Sequence, residues 1–243
     1  MTREVALVTG GSRGIGAAVA RRLAADGFDV AITYRSAGDR AATVVREIEA
    51  ASGRALGLRA EAAEPRDLVE AVERTVRELG RLDVVVGNAG IAPYGALEDV
   101  TLAEVDEVLA VHARASFVLA QAAARHLRAG GRIVLIGSSL AERVPYAGWT
   151  AYAMSKSALV GLTKGLARDL GPRGITANLV SPGSTDTEMN PADGPEADEE
   201  RRHTALGRYC SPEDVAAAVA YLAGDGGRTV TGATIPVDAG VTA

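Results

Sequence analysis

The chain of 243 residues and 24.9 kDa is 47% hydrophobic and 23% charged, the balance of a folded globular protein and not of a disordered one. Its net charge of −5 and pI near 5.3 offer no basic surface to nucleic-acid phosphates or an anionic membrane. The single cysteine, Cys210, excludes an internal disulfide framework and a multi-thiolate zinc site, and the three histidines (His112, His126, His203) do not stand at metal-ligand spacing.

From Met1 the chain runs within a few residues into Val5-Ala6-Leu7-Val8, which leaves no room for a targeting peptide and makes reducing cytoplasm the expected compartment. No apolar run approaches the ~18 residues that cross a bilayer. Short β-branched runs alternate with longer amphipathic stretches. Strands are predicted near 4–9, 29–33, 54–60, 82–87, 131–137, 174–180 and 233–237, and helices near 14–26, 39–52, 66–79, 102–128, 152–170 and 212–223. Thr101-x-x-Glu104 and Ser211-Pro212-x-Asp214 carry capping-box chemistry at two helix starts. Strand–helix alternation with continuously apolar strands such as Val84-Val85-Val86 predicts an α/β fold: one doubly wound parallel sheet of about seven strands, helices on both faces, in a single domain.

Directly after the first strand stands Thr9-Gly10-Gly11-Ser12-Arg13-Gly14-Ile15-Gly16, opening the first helix. Spaced glycines let the backbone turn sharply and bring a pyrophosphate against free N–H groups at the helix start, so the motif points to a dinucleotide. The second strand ends Thr33-Tyr34-Arg35-Ser36, where an acid would take a ribose 2′-hydroxyl. Arg35 stands there instead, with Arg13 in the glycine turn. Two planar guanidiniums suit a 2′-phosphate, which favours NADP(H) over NAD(H).

Tyr152-Ala153-Met154-Ser155-Lys156 sets a phenol and an ammonium one helical turn apart. A free tyrosine, with a pKa near ~10, exchanges protons slowly at neutral pH, and a nearby cation lowers that barrier by stabilising the phenolate. Thirteen residues before Tyr152, Ser139 follows the fifth strand, where open α/β sheets bind ligands; Ser138 is its nearest rival. The stretch 184–206, with Pro191, Gly194, Pro195 and the acidic run 196–200, reads either as a solvated loop with one short helix or as a mobile flap over a site at the strand ends.

Together these motifs, with Asn88-Ala89-Gly90, Pro182-Gly183, Thr231-Gly232 and Val237-Asp238, resemble the short-chain dehydrogenase/reductase family over essentially the whole chain. The pattern is most similar to 3-oxoacyl-carrier-protein reductases and related carbonyl reductases. The resemblance implies a Rossmann-type domain over 1–243 that reduces a ketone or 3-oxoacyl thioester with NADPH. Tyr152 would donate the proton, Ser139 would steady the carbonyl oxygen, and Lys156 would hold the nicotinamide ribose and depress the tyrosine pKa. Gly10, Ser12, Arg13, Gly14, Ile15, Gly16, Tyr34, Arg35, Glu61, Asn88, Ala89 and Gly90 would line the adenosine and pyrophosphate side, and Pro182, Gly183, Thr185 and Thr187 the nicotinamide side. Tyr94, Tyr146 and Trp149 would border the substrate.

Three positions depart from the family pattern. His112 stands where an asparagine usually serves a proton relay, and an imidazole there would either relay protons or add a pH dependence near neutrality, or be a packed histidine with the relay re-routed or weakened. Gly87 replaces the first asparagine of Asn-Asn-Ala-Gly, and Glu61 an aspartate beside the adenine. The alternatives are an alcohol or sugar dehydrogenase running oxidatively, and a weakly catalytic NADP(H)-binding sensor or scaffold. The Arg125, Arg128, Arg132 and Arg173 group reads either as a dock for an acidic acyl carrier protein or as solvated surface. His126 reads as a helix-end residue favouring the dipole and His203 as solvated. The long helices over 102–128 and 152–170 are apolar on more than one face, which with the resemblance implies a homotetramer, with a dimer second.

Overall fold

The computed structural model describes residues 3–51 and 53–243. Seven strands form one fully parallel sheet in the order β3-β2-β1-β4-β5-β6-β7: β1 (Val5–Val8), β2 (Asp29–Tyr34), β3 (Ala55–Arg59), β4 (Val84–Gly87), β5 (Arg132–Ile136), β6 (Thr176–Pro182) and β7 (Thr234–Val237). Each lies within two residues of the predicted bounds. The strand order reverses between β1 and β4, so the crevice between their C-terminal ends is the place where such sheets take ligands.

The pleat explains why these strands carry no polar face. Ala6 and Val8 point into one apolar layer with Leu23, Val44 and Val219; Val5 and Leu7 point into the other with Val72, Leu119 and Leu159. The first layer is closed by helices α1 (Gly14–Ala25), α2 (Gly38–Ala50) and α8 (Pro212–Ala223). The second is closed by α3 (Pro65–Leu79), α4 (Leu102–Leu109), α5 (Ala115–Ala124) and α6 (Thr150–Leu170), and α7 (Ala197–Arg202) is the short helix expected in the loop after β6. A fully buried Leu or Ile contributes about 1.5–3 kcal/mol, so the two-sided burial dominates the fold's stability. Both capping boxes form: the Thr101 hydroxyl accepts from Glu104 N–H and the Ser211 hydroxyl from Asp214 N–H, while each acid accepts from its cap residue's N–H.

The helix predicted over 102–128 is not continuous. A π turn, Ala110–Arg114, separates α4 from α5, with Ala115 N–H reaching back to the Ala110 carbonyl. The inserted residue rotates this stretch so that His112 is buried, 2% exposed, beneath the catalytic-end loops. Among the described residues no helix is long and apolar enough to cross a membrane, and no cluster of three or more His, Cys, Asp or Glu stands ready for a metal.

Candidate active site

The glycine turn is held from both flanks. Thr9 Oγ1 accepts from the N–H groups of Asn88 (2.9 Å) and Ala89 (3.1 Å), and Asn88 Nδ2 donates to the carbonyls of Thr9 (2.9 Å) and Gly10 (3.2 Å). Gly16 is required by close approach, since a Cβ there would lie 2.3 Å from the Gly10 carbonyl oxygen. No side chain caps α1 and its first turn holds no acid, in contrast to the boxed starts of α4 and α8. Its first N–H groups are therefore left for an anion. A Cβ at Gly14 would lie 3.3 Å from Thr187 Cγ2, so the start of the loop after β6 lies across this turn.

At the neighbouring corner Arg13 and Arg35 are exposed, and Arg35 Nε lies 3.7 Å from Glu61 Oε2. Glu61 Oε1 also accepts from Ala63 N–H at 3.3 Å, which fixes the carboxylate at this edge. Tyr34 ends β2, half-buried. On the far side, Gly183 packs so tightly on Asp238 that a Cβ would lie 2.8 Å from its Cα, and buried Thr185 donates its hydroxyl to the Gly183 carbonyl at 2.9 Å. The Thr185 hydroxyl is thus spent inside the loop.

Tyr152 and Lys156 sit at the start of α6, facing the end of β5. Ser138 Oγ accepts from Leu140 N–H at 3.1 Å, and its side chain acts to lower the Tyr152 pKa against the effect of burial. Of the two serines weighed from the sequence, Ser138 is the one whose side chain acts on the phenol. Ser139 opens a single 3-10 turn, Ser139–Ala141, and its carbonyl accepts from the N–H groups of Glu142 and Arg143, both at 3.0 Å. Ser138 follows Gly137 directly off the strand, fourteen positions before Tyr152, because the connection to α6 is one residue longer than the assumed spacing allows. Position relative to the strand end, not distance to the tyrosine, is the better signal.

Lys156 is buried and donates to the Ile136 carbonyl at 2.9 Å; its Nζ lies 5.8 Å from the Tyr152 ring centroid. An ammonium has three donors, and one is used here among the described residues. Burial lowers its pKa to about 8. Burial likewise raises the Tyr152 pKa, with the Ser138 side chain acting in the opposite direction. The phenol is held protonated at neutral pH, the form that donates.

His112 does not titrate near neutrality either. Burial and then the Lys156 charge push its pKa down to about 2. Its Nε2 accepts from Ile91 N–H at 3.1 Å, which leaves the proton on Nδ1, 2.8 Å from Ser155 Oγ. Ser155 Oγ in turn donates to the Tyr152 carbonyl at 2.6 Å. The neutral imidazole thus ties the loop after β4 to the first turn of α6, with its ring edge-on to Tyr152 at 5.5 Å. Ser155, buried in this chain of bonds, had no sequence signal beyond a serine in a helix interior, where back-bonding to a carbonyl is common. The stability this histidine contributes is fully present above its ordinary pKa of 6.5 and declines as pH falls toward 2, because the unfolded chain takes up the proton and the native one does not. Urea midpoints measured from pH 7 to 5 will show a decline of up to about 1.4 kcal/mol per pH unit that is absent from His112→Asn. Parallel profiles in the two proteins would refute this reading of the imidazole.

The remaining candidates sort by place. Trp149 immediately precedes α6 and its ring lies 5.5 Å from Tyr152, with Tyr94 5.4 Å beyond it. Tyr146 packs edge-on against His203 at 4.9 Å, so His203 is half-buried against a ring and not a solvated residue. Of the four arginines read as a possible dock, Arg173 donates to the carbonyls of Ala124 (2.7 Å) and Leu127 (2.8 Å) and Arg132 is buried on the carbonyls of Gly130 and Gly131. They sit at the N-terminal end of β5, the opposite edge of the sheet from Tyr152. His126 Nε2 meets Glu73 at 2.9 Å, and Cys210 is buried with its thiol pKa raised, chiefly by burial.

An uncapped helix start after a glycine turn, a Ser–Tyr–Lys cluster at the strand ends and a seven-stranded parallel sheet define a dinucleotide-dependent oxidoreductase. Comparison with known proteins agrees. A family model described as enoyl-(acyl carrier protein) reductase matches residues 10–242. The chain is similar to a short chain dehydrogenase from Burkholderia cenocepacia J2315 whose crystal structure is a complex with NADP (55% identity, 100% and 99% of the two chains, TM-score 0.98). It is similar to a blue fluorescent protein from a metagenomic library in complex with NADPH (52% identity, 99% and 98% of the chains, TM-score 0.97). Among curated proteins it shares 43% identity with the cyclic-di-GMP-binding biofilm dispersal mediator protein of Escherichia coli K12 (98% of this chain, 96% of that one) and 38% with versicolorin reductase 1 of Aspergillus parasiticus (98% and 95%). The chain belongs to the short-chain dehydrogenase/reductase family.

Proposed function

We propose that this chain is an NADP(H)-dependent reductase that converts a ketone or 3-oxoacyl thioester to the secondary alcohol. The observation that carries the reading is the placement of Tyr152 and buried Lys156 one turn apart on α6, facing the end of β5 where Ser138 stands, with Lys156 Nζ 5.8 Å from the Tyr152 ring. NADPH, when bound, supplies the hydride. The chain's part is to place the carbonyl and deliver the proton. Ser138 and Tyr152 donate hydrogen bonds to the carbonyl oxygen, Tyr152 releases its proton as negative charge develops there, and Ser138 stabilises the alkoxide character. The unused donors of Lys156 suit the hydroxyls of a nicotinamide ribose, and its charge favours the phenolate that proton transfer leaves behind. His112 and Ser155 act as positioning residues that fix the first turn of α6.

The NADP and NADPH complexes of the two structural relatives and the exposed pair Arg13 and Arg35 support the phosphorylated cofactor. Losing a planar donor set to a phosphate costs about 1.5–3 kcal/mol, so Arg35→Ala will raise the KM for NADPH about 10- to 100-fold while that for NADH changes little. An equal rise for both cofactors would remove Arg35 from the 2′-phosphate site. The stretch 184–206 serves as the substrate flap. Exposed Phe117 and Met154, with open positions at Gly161 and Gly165 on α6, support a homotetramer built on α5 and α6. The intact Ser138, Tyr152 and Lys156 favour catalysis over a scaffold role. The deciding test is NADPH consumption with acetoacetyl-CoA and a panel of simple ketones; oxidation of alcohols with NADP+ but no reduction of any ketone would reverse the assigned direction.

A further inference from the structure

Two loops that are remote in sequence are fitted together at the mouth of the site to hold aromatic rings. Gly95 N–H donates to the Gly148 carbonyl at 3.1 Å, joining the loop after β4 to the loop before α6. Gly148 has φ +86°, and a Cβ on it would lie 2.5 Å from Tyr94 Cε2, so only glycine leaves room for the Tyr94 ring. The Tyr94, Trp149 and Tyr152 rings then follow one another with centroids 5.4 and 5.5 Å apart, running from solvent to the proton donor. Tyr94, at the outer end, is 64% exposed.

We infer that the Tyr94–Trp149 wall selects ketones whose carbonyl is attached to a planar aromatic ring. Ring faces attract flat π systems by offset or tilted stacking, which a puckered ring of the same size does not reproduce. The inference rests on the ketone-reductase reading. It goes further by naming the substrate class and two residues that choose it.

Acetophenone and cyclohexyl methyl ketone, near-identical in size and differing in ring planarity, provide the test. The ratio of their kcat/KM values is measured with NADPH in the unmodified protein, Tyr94→Leu and Tyr94→Phe. The ratio falls about fivefold to tenfold in Tyr94→Leu, mainly through KM, and is kept in Tyr94→Phe. A second readout needs no turnover. Trp149 is the only tryptophan, so its fluorescence in the NADP+-loaded protein changes saturably with benzamide and not with cyclohexanecarboxamide, and Tyr94→Leu weakens the benzamide response. A ratio that is unchanged in Tyr94→Leu, or equal responses to the two amides, overturns the wall. Selective benzamide binding without reduction of either ketone leaves the wall standing and overturns the ketone reading.

Discussion

Tyr152→Phe will bind NADPH with unchanged affinity within about threefold, yet reduce ketones about 10²- to 10⁴-fold more slowly, the range that a positioned general acid contributes. The substitution removes one oxygen and keeps the ring, so the edge-on contacts to His112 and Trp149 at 5.5 Å persist and the fold is spared. What is lost is the donor whose pKa burial holds above its ordinary value. A protonated phenol is the reactant in the reducing direction, so raising that pKa in the cofactor-free protein is no handicap. Rapid mixing with NADPH, following cofactor fluorescence for binding and absorbance for turnover, separates the two effects. Loss of cofactor binding in the variant would show that the hydroxyl has a structural role, and turnover within tenfold would remove it as the proton donor.

Ser138→Ala and Ser139→Ala make the second decisive pair. The Ser138 side chain acts directly on the Tyr152 hydroxyl, so its removal takes away one of the two proposed donors to the developing oxyanion and lowers kcat about 10²- to 10³-fold. Ser139 engages the turn after β5 through its carbonyl, which alanine retains, so Ser139→Ala will cost less than about tenfold. The same steady-state assay reads both. A large loss in Ser139→Ala with a small one in Ser138→Ala would restore the residue favoured by spacing and mean that the loop rearranges when cofactor and substrate bind.

The contrast between these two serines marks the boundary between linear and spatial information. A serine at the end of β5 was legible, because strand C-termini are where open sheets present chemistry. Which of two adjacent serines faces the phenol depends on how the 3-10 turn Ser139–Ala141 directs the chain, and a one-residue change in loop length swaps them. The Arg132 and Arg173 pair teaches the same lesson: as sequence they were cations near a helix end, and as structure they are donors to carbonyls at the far edge of the sheet.

The amino-acid sequence alone determined the seven strands, five of the six predicted helices, the glycine turn and the Tyr152–Lys156 spacing, but not the π turn that breaks the helix over 102–128. Each of these rests on local physics: hydrophobic period, turn chemistry, capping and the 3.6-residue repeat. Only the tertiary structure decided the protonation states and the pairings. His112 carries an intrinsic pKa that titrates near neutrality, and it is burial and then the charge of Lys156 that hold it neutral. Ring contacts such as Tyr94 with Trp149 join residues 55 positions apart, brought together because Gly148 leaves space that a side chain would fill. Desolvation and long-range contact are properties of the packed chain, and no local pattern encodes them.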